Sequence, residues 1–365
     1  GRDHARRDRP ARRGGTPMTA VTSAPATPPP ATQRMLRAEG LLRARELGIV
    51  IAIVVVFALT TLNNHAFAHT HSVQQLLTGA SLIALLTVGE TLVIITRNVD
   101  LSVGSVVGLS AYVVGDVFVH HPHTPVVVGF LLGTLIGAAV GAINGLITTV
   151  ARVPSLVVTL AALYIIRGID AVIVNGKRID PVNVPSAFTA VGYETVLGIP
   201  WLAIIVAAVV AVAGYAMRSF RSARDLYAIG SNPEAAALAG VPAGRRVFSA
   251  FLISGALAGF AGALFLAEFA TVDATGGAGY ELLVIAAVVV GGVAIFGGSG
   301  TILGAALGAV LLNTINQALV ASRISSFWNQ AIAGALLLAA IAFDRWLGLR
   351  VARRLKSAEG AHRDV

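Results

Sequence analysis

The chain has 365 residues, 56% of them hydrophobic and 12% charged, and it contains no cysteine. Soluble domains carry about a quarter charged residues. This composition therefore excludes a protein with a polar coat and reads as an all-α polytopic membrane protein. The missing cysteines exclude disulfides, thiolate zinc sites and a cysteine nucleophile.

In chain order, residues 1–46 hold ten of the 27 Lys and Arg residues. Residues 1–17 differ in composition from the rest of the chain, so Met18 is the expected start; a basic arm for lipid or nucleic acid is the alternative. Residues 19–33 are rich in Thr, Ala and Pro, and the arm 1–46 is expected to be disordered. A helix needs about 20 apolar residues to cross ~30 Å of hydrocarbon. Ten runs qualify as candidates: 47–62, 76–96, 101–119, 125–150, 153–174, 199–217, 247–268, 282–296, 301–321 and 326–348. The first and eighth are short. The transmembrane domain is thus expected over 47–348, followed by a basic tail at 349–365.

Orientation follows from the placement of Lys and Arg. With the N-terminus inside, 23 of the 27 basic residues fall inside; only Arg167, Lys177, Arg178 and Arg323 fall outside. Both termini are then cytoplasmic. Two connections are long: 167–198 outside, broken by Pro181 and Pro185, and 218–246 inside.

Glycines recur every four residues at Gly129, Gly133, Gly137, Gly141 and Gly145, with shorter series at Gly255 and Gly259 and at Gly300, Gly304 and Gly308. Each series lines one helix face with glycine and lets another backbone approach. They read as tight packing seams or as a moving seam, and spacing does not separate the two. The two four-helix blocks, spans 2–5 and 7–10, enter from opposite sides, as in an inverted repeat.

The inside connection contains RDLYAIGSNPEAAALAGV (224–241). Asn232 at the cap, Pro233 at the first helical position and Glu234 in the first turn start a helix, and Gly240 stops it. A helix of about two turns, too short to span and flanked by arginines, suits a partner's groove or packs on its own bundle.

The segment ITRNVDLSVGS (95–105) lies between spans 2 and 3. Charges so deep in the membrane cost a few kcal/mol or more each. Arg97 and Asp100, three apart, are expected to pair, and Asp100 with Ser102 marks a cap for span 3. The alternative is an inner gate or polar pore lining formed by Arg97, Asn98, Asp100 and Ser102. Other polar residues in spans are candidates for a translocation path or for interhelical hydrogen bonds: Glu90, Asn144, Asn313, Asn316, Gln317 and Asn329, with Trp328 as a stacking ring.

TLVIITRNVDLSVGSVVGLSAYVVG (91–115), AINGLITTVARVPSLVVTLAALYIIRG (142–168), RDLYAIGSNPEAAALAGVPAGRRVFSAFLISGALAGFAGAL (224–264) and VVVGGVAIFGGSGTILGAALGAVLLNTINQALV (288–320) together resemble the permease subunits of ABC sugar importers of the ribose/xylose/rhamnose branch. RNVDLSVGS and RISSFWNQAIAGALLLAAIAFD (323–344) look closer to the rhamnose and autoinducer-2 permeases. The resemblance implies two permease subunits, a paralogue or a copy, around one path in the bacterial cytoplasmic (inner) membrane. It implies a separate ATPase carrying ATP and Mg, an extracytoplasmic sugar-binding protein, and no cofactor or nucleic acid on this chain. It also implies that Gly230, Asn232, Pro233, Glu234, Ala235, Ala236, Leu238, Gly240 and Val241 couple the permease to the ATPase. Glu90 stands where the resemblance implies an uncharged residue.

Two rival readings use other features. Six of eight histidines, His65, His69, His71, His120, His121 and His123, fall in two outside loops and suit a metal importer permease. An ion-coupled secondary transporter would use Glu90 or Asp100 as proton sites. An enzyme is disfavoured: the chain has no G-x-S-x-G, no H-E-x-x-H and no P-loop.

Overall fold

Long apolar helices and a set of short ones account for almost all of the computed structural model, which describes residues 31–342 apart from 326 and 329. Residues Gly1–Gly40 and Leu41–Val365 form separate compact units. Of the first, only the helical stretch from Ala31 is described, so most of the expected arm and the tail 349–365 lie outside the described residues.

The helix α1 runs Ala31–Asn63 and begins well before the apolar run at 47. This corrects the expected disorder of 31–46: that stretch is rich in Ala, Leu, Arg and Glu, which are strong helix formers. Then come α2 (Thr70–Ile95), α3 (Val103–His120), α4 (Val126–Val150) and α5 (Ser155–Val174). After α5 the outside connection holds a short helix α6 (Ser186–Tyr193) and a two-residue hairpin, Thr195–Val196 with Ile199–Pro200. α7 (Trp201–Ser219) leads to α8 (Arg221–Ser231) and α9 (Pro233–Leu238). α10 (Ala243–Phe269), α11 (Tyr280–Val290), α12 (Ile302–Ala321) and α13 (Gln330–Ala342) complete the described residues.

Among the described residues eight helices are long and apolar enough to cross a membrane. The eighth expected span appears as the shorter apolar helix α11; of the tenth, the helical stretch Gln330–Ala342 lies within the described residues. In α11 the reason is local: Gly291 and Gly292 end the helix, and Gly292, Gly297, Gly298 and Gly300 all adopt positive φ, folding 291–300 into a tight reversal before α12.

α2 is the hub. Its apolar window is 89% buried, against 11% for α1, and it is hydrophobic on every face, as a helix surrounded by other helices must be. The glycine series resolve into two seams. A Cβ at Gly137 would strike the Gly255 carbonyl, and one at Gly259 would strike the Gly133 carbonyl, so α4 and α10 meet backbone to backbone. On the other side, Gly304 and Gly308 of α12 admit the carbonyls of Gly291 and Ala287 at the end of α11.

Candidate functional site

The polar residues of this apolar chain gather at the two ends of the bundle. One end carries the break between α2 and α3, the α8–α9 connection and the α11–α12 reversal. By the distribution of basic residues this end is the expected cytoplasmic one and is called the inner end, the opposite one the outer end. The other end carries a cavity.

At the inner end α2 stops at Ile95, and Arg97 turns the chain with φ +67°, the left-handed region that few side-chain-bearing residues adopt. The expected Arg97–Asp100 ion pair does not form. Arg97 instead donates through Nε to the Gly230 carbonyl at 2.6 Å and through Nη2 to the Ser231 carbonyl at 2.9 Å. These are unpaired carbonyls at the C-terminal end of α8, where the helix dipole favours a cation. Gly230 permits the approach: a Cβ there would collide with the Ile95 carbonyl and with Gly298 N. Gly298 N–H donates to the Ile95 carbonyl at 2.9 Å, and Tyr227 Oη donates to the Gly300 carbonyl at 2.9 Å. Burial holds the Tyr227 phenol above its ordinary pKa, opposed in part by Arg218. Three sequence-distant segments, 95–98, 227–231 and 297–300, are thus knotted together by hydrogen bonds largely to main chain.

Asp100 faces inward from this knot. Its Oδ1 accepts from Ser102 N–H at 3.0 Å and from Ser102 Oγ at 2.6 Å. Its own N–H donates to Glu90 Oε1 at 3.1 Å. Asn144 Nδ2 of α4 donates to Ser102 Oγ at 2.9 Å. Glu90 and Asp100 are 0% and 1% exposed. Ser102 is the residue before α3, as expected, but its side chain does not cap the helix; Asp100 fastens the turn from two residues upstream. Val99 is held on both sides by α5, its N–H on Ser155 Oγ at 3.2 Å and its carbonyl on Thr159 Oγ1 at 3.2 Å. Asn98 closes locally on Thr96. Of the gate candidates, Glu90, Asp100, Ser102 and Asn144 therefore form one buried network, and none of them lines the cavity at the other end.

Immediately after the Arg97 contacts comes α9. Asn232 Oδ1 accepts from Glu234 N–H and Ala235 N–H, both at 3.1 Å, the N-cap read from the sequence. Gly240 leaves with φ +75°, and its N–H and that of Val241 close on the carbonyls of Ala237 and Ala236. Ala236 is buried under the helix, whereas Glu234 is exposed and Leu238 is 91% exposed. Arg246 of α10 pairs with Asp225 of α8 at 2.9 Å, which holds this connection against the bundle.

The cavity at the outer end has a volume of about 1090 Å³. It is lined by the outer ends of α2, α10, α11, α12 and α13 and by Tyr193 and Thr195 of the outside connection. Of the path candidates, Asn313, Asn316 and Gln317 line it. Asn313 is also an interhelical tie, donating from Nδ2 to the Leu76 carbonyl at 2.8 Å beside Gly79. Trp328 is 60% exposed and does not line this cavity; Asn329 lies outside the described residues. Sequence reasoning missed Gln74, Gln75, Glu268, Glu281 and Gln330. The available signal was their position: all sit within a turn or so of an outside helix end. Among the described residues no three His, Asp or Glu side chains converge as a metal set.

A bundle of long apolar helices, with a wide cavity at one end and an exposed capped helix at the other, defines a multi-pass membrane permease. The chain belongs to the family described as branched-chain amino acid transport system / permease component, which matches residues 72–341. It is 36% identical over 304 residues to the autoinducer 2 import system permease protein LsrC of Enterobacter sp. (strain 638), covering 83% of this chain and 88% of that protein. It is likewise 36% identical over 323 residues to LsrC of Klebsiella pneumoniae subsp. pneumoniae, covering 87% and 91%, and 33% identical over 317 residues to LsrC of Escherichia coli (strain K12 / DH10B), covering 86% and 90%. No solved structure matches the chain. The chain is accordingly a permease component of an ABC importer in the bacterial cytoplasmic membrane, not an enzyme; it works with a separate ATPase and a binding protein.

Proposed function

We propose that this chain is one of two permease subunits, a copy or a paralogue of each other, that together form the path of an ATP-driven importer for a small neutral, hydroxyl-rich ligand of the rhamnose or autoinducer-2 type. The observation that carries the reading is α9. A six-residue helix capped at both ends, with Ala236 seated below and Leu238 almost wholly exposed above, presents a rigid apolar knob with no core of its own. Such a knob suits a groove on a cytoplasmic ATPase. In this reading Gly230, Asn232, Pro233, Glu234, Ala235, Ala236, Leu238, Gly240 and Val241 are the coupling element, and ATP and magnesium reside on the partner. The ligand class draws support from the name the relatives carry, autoinducer 2 import, and from the amides Asn316 and Gln317 in the outer cavity. Amides pair donor with acceptor, as sugar hydroxyls require. Glu90, Arg97, Asn98, Asp100, Ser102 and Asn144 act in this reading as an inner closure that moves with α9.

The test is reconstitution of the chain with its ATPase and binding protein, followed by a screen of rhamnose, other monosaccharides and autoinducer-2 for stimulation of ATP hydrolysis. Stimulation by one ligand, abolished by Glu234→Arg, is the expected result. A chain that binds no ATPase yet moves solute under a proton gradient alone contradicts the reading and favours ion coupling through Glu90 and Asp100.

A further inference from the structure

The outer cavity has a one-sided charge pattern. Two carboxyl side chains line it, Glu268 near the end of α10 and Glu281 in the first turn of α11. No Lys or Arg stands among its described lining residues. Neither carboxylate has an ion-pair partner among the described residues, and Glu281 Oε2 packs against Gly104 of α3. The Oε2 atoms of both are buried without a hydrogen-bond partner in the chain, and Glu281 Oε1 accepts only from Gly279 N–H, at 3.2 Å. Arg167, on an outer turn of α5, is directed elsewhere: it donates to the Gly276 carbonyl at 2.6 Å and does not line the cavity. His71, also in the lining, lies 3.1 Å from the Gln75 amide nitrogen through its Nε2.

An anion entering this space meets no Lys or Arg among the described lining residues and two carboxylates that repel it. Losing water without gaining a partner is the costly case for an ion. A neutral polyol brings O–H donors instead. Carboxylate oxygens accept these in charge-assisted bonds, while Gln74, Asn316, Gln317 and Gln330 offer both donors and acceptors around them.

We propose that the outer cavity is an anion-excluding vestibule in which Glu268 and Glu281 are the specificity-determining residues: it passes neutral polyhydroxylated ligands and turns away carboxylated or phosphorylated ones. The inference rests on the import reading for the claim that ligands pass this way, but its test needs no transport. Because the chain has no cysteine, Gln317→Cys places a single thiol in the cavity. The full-length variant is reconstituted in nanodiscs and treated separately with the anionic sulfonatoethyl and the cationic trimethylammonioethyl methanethiosulfonate reagents. Each rate is divided by that of the same reagent with a free thiol in solution.

The expected result is a preference of about tenfold or more for the cationic reagent at low salt, shrinking as ionic strength rises. Glu268→Gln together with Glu281→Gln brings the ratio towards one; Glu268→Asp, which keeps the charge, leaves the preference in place. A ratio near one in the starting variant overturns the proposal, as does a ratio insensitive to salt or to the double substitution. A thiol that reacts with neither reagent overturns it too, because the cavity is then not open to water. Loss of ATPase coupling with the charge preference intact overturns the import reading and leaves the vestibule standing.

Discussion

The two ends of the bundle use the same residue types for opposite purposes. At the inner end Arg97, Asp100, Ser102 and Asn144 are bound to specific partners, several of them main-chain groups, over distances of 2.6–3.0 Å. At the outer end Glu268 and Glu281 keep carboxylate oxygens without partners, and amides surround an open volume. A polar side chain in a membrane protein is costly wherever it is buried. Satisfied within the chain, it fixes backbone; the inner network leaves only Glu90 Oε2 and Ser254 Oγ without a partner, whereas the carboxylates beside the outer cavity lack any side-chain partner. In the proposed import reading the inner knot is the mechanical half of this molecule and the outer cavity the recognition half.

That contrast is sharpest at Gly230. Adding a side chain with Gly230→Val drives it into the Ile95 carbonyl and Gly298 N, where backbone and not a yielding side chain stands in the way. Overpacking of this kind costs about 1–3 kcal/mol or more. The expected outcome is a sharp loss of folded chain in detergent, read by size-exclusion yield, and near-normal yield rules out the close three-segment knot. A smaller effect is expected at Glu90. Glu90→Leu leaves the buried Asp100 N–H without its acceptor, a loss of about 1–3 kcal/mol. Thermal unfolding should shift downward by several degrees, and Glu90→Gln, which keeps an acceptor, should recover most of the loss. Equal stability of the two variants would make the hydrogen bond irrelevant. The smallest effect belongs to the cavity. Gln317→Ala removes one of several amides that line the cavity; if the cavity takes ligand as proposed, the loss is about 1 kcal/mol or roughly a fivefold rise in half-saturating ligand. Transport driven by loaded binding protein measures it, and thermal stability should not change; a stability loss without a transport change would assign Gln317 to the fold.

The sequence made the membrane class legible, because twenty-residue apolar runs and a one-sided distribution of arginine need no tertiary information. It also made α9 legible, since capping is local chemistry: Asn232, Pro233 and Gly240 act within a few residues of themselves. The glycine series announced seams, yet which helices met there depended on the fold. Arg97 shows the limit most clearly. Its nearest opposite charge in sequence is Asp100, but its partners are carbonyls more than 130 residues away, on a helix end with no charged side chain to advertise it. The carboxylates of the cavity were passed over because Glu268 and Glu281 sit at helix ends, where an acidic residue reads as ordinary solvent exposure.

In this account the coupling helix and the α2–α3 break move as one through Arg97. The most direct measurement is ligand-stimulated ATP hydrolysis by the reconstituted importer carrying Arg97→Ala. The ATPase is expected still to co-purify with the variant, since α9 is intact, while stimulation falls about tenfold. Arg97→Lys should fall less far, because a single ammonium replaces only part of the two-carbonyl grip. Stimulation that survives Arg97→Ala unchanged would contradict this coupling and would place the link between ATPase and gate elsewhere.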